Sequence, residues 1–414
     1  MYKKEKIKNW LKNKNNLIFL AISLISLILG FYYFFLTKNQ PIWWDESDYL
    51  AYAKNLAGLG GDWLITAKHN SLFPFLVAAL FKIGFSESLT KLFLELIPYF
   101  LIVFLTYLIA KEMYQDRKIA LISMFLMATT WAILFNAMRF HLGIPATVFG
   151  LTAIYIFWKG YEKKEKIFGK IPPNWAIPLT GIFIILTYSI RRGFFLFGFF
   201  LLVYILLTKN WKDILKDKSV WLGGIISLIL LTLVEKTIFT SGVNELAGGY
   251  AHTENPINLL PLEIFSSYFS YLGGGLNILL WLFWIGLFLV MGKVFLSIGL
   301  IKTKKNYETR ADLFNFIVII ITLLFFILIL RSQNSFGEPR WYFPLLFSSL
   351  ICISRASVFL SNFLKNYGKN LSVVFLILVI VFGGYYQVKH ADFIINAKID
   401  TYSGVKEAGL FLKE

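Results

Sequence analysis

The chain has 414 residues, of which 57% are hydrophobic and 18% aromatic, and its formal net charge at pH 7 is +17. This composition excludes an ordinary soluble domain, which needs far more polar surface. The single cysteine, Cys352, excludes an internal disulfide framework. The basic residues lie in short segments between apolar runs, a pattern typical of membrane topology, so nucleic-acid binding is excluded as well.

Apolar runs long enough to cross a bilayer recur along the whole chain. The first follows a basic stretch and precedes no small-residue cleavage pattern, so it is predicted to be an uncleaved signal-anchor. The runs predict about eleven transmembrane helices, at residues 17–36, 88–110, 118–136, 144–159, 176–190, 193–208, 219–240, 271–292, 312–330, 341–357 and 371–386. The predicted fold is an all-α polytopic membrane protein with a single domain over residues 1–414.

Two long apolar runs are divided because they contain arginines. A single helix over 176–208 would be about 50 Å long. It would also place Arg191 and Arg192 at the bilayer centre, at about 2.5–3.5 kcal/mol each. A sharp turn at 188–193 places both at the membrane surface instead. The run 118–158 is divided in the same way at 136–143, which holds Arg139 and His141.

The distribution of charge predicts the orientation. With a cytoplasmic N-terminus, most of the 41 Lys and Arg residues fall in cytoplasmic segments. The non-cytoplasmic face of a plasma-membrane protein then receives the first loop, the 136–143 turn and the segment 331–340. The first loop spans residues 37–87. A mobile loop over 241–270 and a short tail over 387–414 are predicted on the same face.

Three carboxylates, Asp45, Glu46 and Asp48, directly follow the first span. They either cap a surface helix or provide a general base for an acceptor hydroxyl, and residue chemistry alone leaves both open. Tyr49 and Tyr52 begin a helical spacing of apolar residues that predicts a short amphipathic helix. Residues 72–84 are apolar but too short to span, which predicts a second juxtamembrane helix.

Six basic side chains are predicted at outer helix ends or loops: Arg139, His141, Arg191, Arg192, Arg331 and Arg340. One such arginine commonly extends to lipid head groups, but six on one face indicate an anion site, because guanidinium suits phosphate oxygens. The chain has no Walker A or GxGxxG pattern. Its histidines, His69, His141, His252 and His390, are too scattered for a zinc motif. The metal is therefore unknown, and a divalent cation held by carboxylates stays open.

Four segments of the chain resemble motifs of the GT-C membrane glycosyltransferases, in the branch of the protein O-mannosyltransferases and the lipid A aminoarabinose transferase. The resemblance covers most of the chain. The segments resemble, in order, the Asp-Glu motif of the first outer loop, the start of the juxtamembrane helix, the outer hairpin and the Arg-Tyr-x-x-Pro segment of a late helix. They are Trp44-Asp45-Glu46-Ser-Asp-Tyr49, Ser71-Leu-Phe-Pro-Phe75, Leu186-Thr-Tyr-Ser-Ile-Arg-Arg-Gly193 and Glu338-Pro-Arg340-Trp-Tyr342-Phe-Pro344.

The resemblance implies an inverting transfer of a hexose or pentose from a polyprenyl-phosphate carrier to a lipid, glycan or protein acceptor outside the cytoplasm. It implies Asp45 as the first choice for the catalytic base, with Glu46 as partner or alternative. Arg191, Arg192 and Arg340 would bind the carrier phosphate and stabilise it as the leaving group. Further candidates for substrate binding are Asp48, Tyr49, His69, Arg139, His141, His252, Arg331, Glu338 and Tyr342. The expected partners are this donor, the acceptor and membrane lipids.

The chain departs from the family at one position. Relatives usually carry an acidic residue before the Ile-Pro of the second outer turn, where this sequence has Gly143. The second carboxylate is thus absent or supplied from elsewhere, such as Asp48 or Glu338. Two alternatives remain. A transporter or flippase for lipid-linked sugars would show inverted repeats and charges in broken helices. A lipid-linked glycan ligase or polymerase would not need the acidic pair.

Overall fold

The structure is a computed structural model that describes residues 9–38, 45–60, 71–239, 260–269, 277–297, 306–328 and 339–399, together with residues 5, 40 and 299. Within these ranges the regular structure is helical, apart from one bridge between Ile167 and Ile171. This confirms the predicted all-α class. Four candidate site residues lie outside the described ranges: His69, His252, Arg331 and Glu338. Most of the predicted 241–270 loop and the end of the predicted tail, residues 400–414, lie outside them too.

The helices follow the apolar runs of the sequence. The first half of the chain forms α1 Lys14–Thr37, α2 Asp45–Ala57, α3 Leu72–Lys82, α4 Glu87–Tyr114, α5 Arg117–Thr129, α6 Trp131–Ala137, α7 Gly143–Ile156, α8 Ala176–Ile190 and α9 Leu196–Thr208. The second half forms α10 Trp211–Lys216, α11 Lys218–Thr237, α12 Leu260–Ser267, α13 Ile278–Leu296, α14 Tyr307–Leu328, α15 Phe343–Lys365, α16 Lys369–Ile380 and α17 Tyr386–Ile399.

Eight described helices are long and apolar enough to cross a membrane, or nine if the bent pair α5 and α6 forms one span. The chain is therefore a multi-pass integral membrane protein. The predicted count of eleven is not confirmed. The predicted spans 144–159 and 193–208 correspond to α7 and α9, with 14 and 13 residues. At about 1.5 Å per residue α9 reaches only about 20 Å of a core about 30 Å thick, whereas a π turn at Phe157–Glu162 continues α7 without a break.

The predicted breaks occur where the arginines are. Helix α8 ends at Ile190, and Arg191 has an extended backbone before the chain turns into α9. The turn 138–142 separates α6 from α7. One further break was not predicted: Thr130 is extended and bends α5 against α6 by 52°. The last helix, joined to α16 by a π turn at Val381–Tyr385, continues through Ile399 and so beyond the predicted end at residue 386.

Packing places α15 at the centre of the bundle and α11 at its edge, where most of its side chains face outward. Gly286 allows α13 to approach α15 closely, because a Cβ there would lie 2.1 Å from the carbonyl oxygen of Cys352. Cys352 is buried and free, in agreement with a packing role. The short helices α2 and α3 pack on each other through Tyr49 and Phe73, whose ring centroids are 6.0 Å apart. The end of the bundle that carries α2 is called the site end below.

Candidate active site

The two acids at the start of α2 meet arginines from two distant segments. Oδ2 of Asp45 lies 3.1 Å from Nη2 of Arg340, which precedes α15. Glu46 accepts a hydrogen bond from Nε of Arg139, in the turn between α6 and α7. Residues at adjacent helix positions point about 100° apart, so the two carboxylates have different surroundings. Asp45 keeps 37% of its side chain exposed and Glu46 only 6%.

Glu46 differs from Asp45 in how far its carboxylate is buried. Burial raises the pKa of the Glu46 carboxyl above its ordinary value, and the neighbouring Arg139 opposes that rise. Asp45 is therefore the more accessible of the two carboxylates. Glu46 lies behind it in the wall of the site.

His141 lies at the centre of the basic residues. Its backbone N–H donates to Oε1 of Glu95 at 2.7 Å, its Nδ1 accepts from the N–H of Gly143 at 3.0 Å, and its Nε2 contacts Arg340. Burial and the charges of Arg340, Arg191 and Arg139 hold the pKa of His141 well below its ordinary value. This favours the neutral form of the ring, which has one acceptor nitrogen. The contacts with Gly143 and Arg340 therefore compete for it.

Gly143 leaves little room for a side chain in the turn before α7. A Cβ at this position would lie 3.3 Å from Nδ1 of His141 and 3.4 Å from Nη1 of Arg191. That space is already filled by two basic side chains. A carboxylate reaches the turn from another helix instead. This residue is Glu95, in α4, which is fully buried and whose Oε2 has no hydrogen-bond partner among the described residues.

Glu95 and its neighbour Lys91 were not among the predicted site residues. Lys91 donates to the carbonyl of Thr37 at 3.2 Å and lies within electrostatic range of Glu46 and Glu95. The segment Leu92–Leu96 is a π turn, an irregularity that often marks functional sites. The signal in the sequence was a lysine and a glutamate at the start of an apolar span, where ionisable residues are rare and commonly functional.

Arg191 faces the site through stacking. Its guanidinium lies 4.1 Å from the ring centroid of Trp341 and 5.0 Å from that of Phe194, and it is buried. Tyr49 is also buried. Burial raises the pKa of its hydroxyl and the charge of nearby Asp45 adds to this, while Arg191 opposes it. Tyr342 is buried against Phe326 with ring centroids 4.3 Å apart, and its hydroxyl has no partner in the described part of the chain.

The structure separates Arg192 from Arg191. The Arg192 guanidinium lies 3.8 Å from the ring centroid of Phe239 and 4.0 Å from Glu235, so it faces α11. Tyr188 donates to the same glutamate. The two arginines predicted to bind one phosphate thus have different neighbours, because the turn that follows Ile190 directs them apart. Asp48 is exposed on α2.

The site is rich in cations. Four basic side chains, Lys91, Arg139, Arg191 and Arg340, meet three carboxylates, Asp45, Glu46 and Glu95. With a neutral His141, these seven described side chains carry a net charge of +1 when all three carboxylates are ionised. In the ranges that the structure describes, no three His, Cys, Asp or Glu side chains are grouped as metal ligands. The chemistry that this arrangement supports is the binding of an anion next to an accessible carboxylate.

The sequence profile of the dolichyl-phosphate-mannose-protein mannosyltransferase family matches residues 52–242. The match begins after Asp45 and Glu46 and ends before Arg340, so it covers the middle of the site and not its two outer segments. No curated protein sequence matches the chain.

Solved structures match more of the chain. ArnT from Cupriavidus metallidurans bound to undecaprenyl phosphate has a TM-score of 0.57 and 14% identity over 82% of this chain and 59% of its own. The oligosaccharyltransferase AglB from Archaeoglobus fulgidus, in complex with an inhibitory peptide and a dolichol-phosphate, has a TM-score of 0.57 and 14% identity over 93% of this chain and 56% of its own. The chain thus spans little more than half the length of these proteins. Together the matches confirm the resemblance that the motifs predict: the chain has the fold of the GT-C membrane glycosyltransferases.

Proposed function

We propose that the chain is an inverting glycosyltransferase that moves a sugar from a polyprenyl-phosphate carrier to an acceptor hydroxyl on the non-cytoplasmic side of the plasma membrane. The observation that carries the proposal is the contact of Arg340 with both Asp45 and His141. It joins a candidate base and a candidate phosphate ligand in one site. The family profile, and the polyprenyl phosphates named for ArnT and AglB, support the same donor class.

The charges suit a phosphodiester donor and its product. The donor carries one negative charge, and the released polyprenyl phosphate carries up to two. A site with an excess of cations therefore binds the leaving group more strongly as charge develops on it. Arg340 and Arg191 are the proposed phosphate ligands. Arg139 is paired with Glu46, and we assign it to holding the buried acid in place.

Asp45 is the proposed base. It takes the proton of the acceptor hydroxyl while that oxygen attacks the anomeric carbon from the face opposite the phosphate. The bond from the anomeric carbon to the phosphate oxygen breaks, and the phosphate leaves with the electron pair, which inverts the configuration. In the structure Asp45 is paired with Arg340. A donor phosphate would compete for that guanidinium and free the carboxylate to approach the acceptor hydroxyl.

The alternatives receive less support. A transporter is expected to place charges in broken helices. The broken helix here, α5 with α6, instead has Thr129 and Thr130 at its break. A ligase or polymerase would not need an acidic pair, whereas here both acids contact arginines of the site. The predicted cytoplasmic N-terminus would place this end of the bundle outside the cytoplasm.

The decisive experiment is transfer by the full chain, reconstituted with a polyprenyl-phosphate sugar and envelope acceptors. Asp45→Asn keeps the shape of the side chain and removes the base, so we expect transfer to fall about 10²–10⁴-fold with an unchanged melting temperature. Glu87→Gln is the matched control. Glu87, at the start of α4, forms an exposed ion pair at 2.6 Å with Lys54 of α2, the helix that also carries Asp45. Undiminished transfer by both Asp45→Asn and Glu46→Gln would contradict the assignment of the base.

A further inference from the structure

A buried amide in the last helix contacts two separate segments. Gln387, in α17, is only 1% exposed. Its Oε1 accepts from the backbone N–H of Trp131 at 3.2 Å, and its Nε2 donates to the backbone carbonyl of Tyr268 at 3.0 Å. Both ends of one side chain are therefore used to join α6 and the end of α12 to α17.

The contact with Trp131 serves the broken helix. The break at Thr130 leaves the first N–H groups of α6 without helical partners, and the Gln387 oxygen accepts one of them. The Trp131 ring is fixed as well, because its Nε1 donates to the carbonyl of Ser267 at 3.2 Å. Helix α6 is short and ends at Ala137, directly before the turn with Arg139 and His141. The direction of α6 therefore determines where that turn lies.

The contact with Tyr268 leads to the other half of the site. The Tyr268 hydroxyl donates to the backbone carbonyl of Pro339. The next residue is Arg340, which contacts Asp45 and His141. Tyr268 thus anchors the short Pro339–Tyr342 turn from which Arg340 projects.

These contacts form a closed ring. From Gln387 one side passes through Trp131 and α6 to His141, and the other passes through Tyr268 and Pro339 to Arg340. The contact between His141 and Arg340 closes the ring at the site end. Because the contacts form a closed ring, loss of the Gln387 hydrogen bonds lets the contact between His141 and Arg340 shift. Displacements of about 1 Å are costly for a site that depends on preformed geometry.

We propose that Gln387 is a positioning residue that fixes the separation of Arg340 from the Arg139–His141 turn and so preorganises the anion site. The proposal rests on the proposed function for the identity of the anion, a polyprenyl phosphate. Gln387 itself touches neither acid nor arginine in the contacts described above. Its effect passes through Trp131 and Tyr268.

The first test is equilibrium binding of undecaprenyl phosphate to the purified full chain in nanodiscs. Gln387→Met keeps the length of the side chain and removes both hydrogen bonds, so we expect about tenfold weaker binding. Ser372→Ala is the matched control, because it removes a buried hydrogen bond of 2.8 Å, to Ser361, from the neighbouring α16. The control should bind like the unmodified chain. Equal affinity of Gln387→Met and the unmodified chain would overturn the proposal.

A double-mutant cycle tests the route through Tyr268. Tyr268→Phe removes only the hydrogen bond to Pro339. If both residues act through one ring, the double variant Gln387→Met with Tyr268→Phe should bind no more than about twofold more weakly than the weaker single variant. Losses that multiply in the double variant would refute this route, since independent sites have additive free energies.

Hydrogen exchange separates this proposal from the proposed function, because it needs no ligand. In Gln387→Met, backbone exchange should increase both in residues 131–142 and in residues 339–342, while Ser372→Ala changes neither segment. If the unmodified chain failed to bind undecaprenyl phosphate, the donor assignment would fall, and exchange would still decide the positioning role. Faster exchange confined to residues 131–137 would overturn that role.

Discussion

Two clusters of buried charge lie at opposite ends of the same helix, and their pairing differs. Helix α4 carries Lys91 and Glu95 near its start and Glu112 near its end. Around its end lies the opposite cluster, in which each buried carboxylate contacts two partners. Glu112 contacts Lys159 and Lys163, Glu162 contacts Lys209 and Arg310, and Asp312 contacts Arg355 and Tyr114.

At the site end, each carboxylate has one partner among the described residues. Asp45 contacts Arg340, Glu46 contacts Arg139, and Glu95 contacts the His141 backbone. Charges withdrawn from water need close partners. The opposite cluster supplies them from within the chain, which suits a purely structural role. At the site end the carboxylates have fewer close contacts, and one of them, Asp45, keeps 37% of its side chain exposed, where a ligand can reach it.

The largest effect is expected from a change in the opposite cluster. Glu162→Gln removes the buried carboxylate that both Arg310 and Lys209 contact, so the free energy of unfolding should fall by about 3–5 kcal/mol. The matched change at the site end is Glu95→Gln, which keeps an oxygen to accept from the His141 backbone. It should lower the free energy of unfolding by about 1 kcal/mol or less. Thermal unfolding of both variants in one detergent measures the difference. Equal losses would mean that the two ends of α4 do not differ as described.

The next largest effect concerns the anion. Arg340→Ala should weaken binding of undecaprenyl phosphate by about 10- to 100-fold, because a hydrogen bond to a charged group contributes about 1.5–3 kcal/mol. Arg192→Ala provides the control within the same charge class, since Arg192 faces Glu235 and Phe239. It should leave affinity within about twofold of the unmodified chain. A larger loss in Arg192→Ala than in Arg340→Ala would reverse the assignment of these arginines.

Much of the site could be predicted because charge in a membrane protein is informative. An arginine near the middle of an apolar run that is longer than one span favours a break there, and both predicted breaks occur where Arg139 and Arg191 stand. The acids of α2 directly follow a span and therefore lie at a membrane surface. The all-helical fold follows from the same physics, because backbone polar groups in lipid need partners within the helix.

Other features depend on tertiary contacts that no local pattern contains. The direction of Arg192 depends on α11, far along the chain. Glu95 stands in an apolar span, and only the folded chain shows that its oxygen meets the 138–142 turn. The break at Thr130 follows no proline or glycine, and the partner that accepts from Trp131, Gln387, is more than 250 residues away. The predicted count of eleven spans is not confirmed, because eight described helices, or nine with the bent pair, meet the length and hydropathy of a membrane span.

The smallest expected effect concerns proton binding and distinguishes the two clusters by pH. His141 lies at the site end, and no described histidine contacts a carboxylate of the opposite cluster. The folded pKa of His141 is well below its unfolded value of about 6.5, so below that pH the unfolded chain binds a proton that the folded chain does not. Stability is therefore lost as pH falls through this window, by at most about 1.4 kcal/mol at pH 5.5. His141→Asn keeps an acceptor for Gly143 and does not titrate, so its unfolding temperature should fall less than that of the unmodified chain between pH 8 and pH 5.5. An identical fall in both proteins would show that the folded chain protonates His141, and the excess of cations around it would then have to be smaller than the structure indicates.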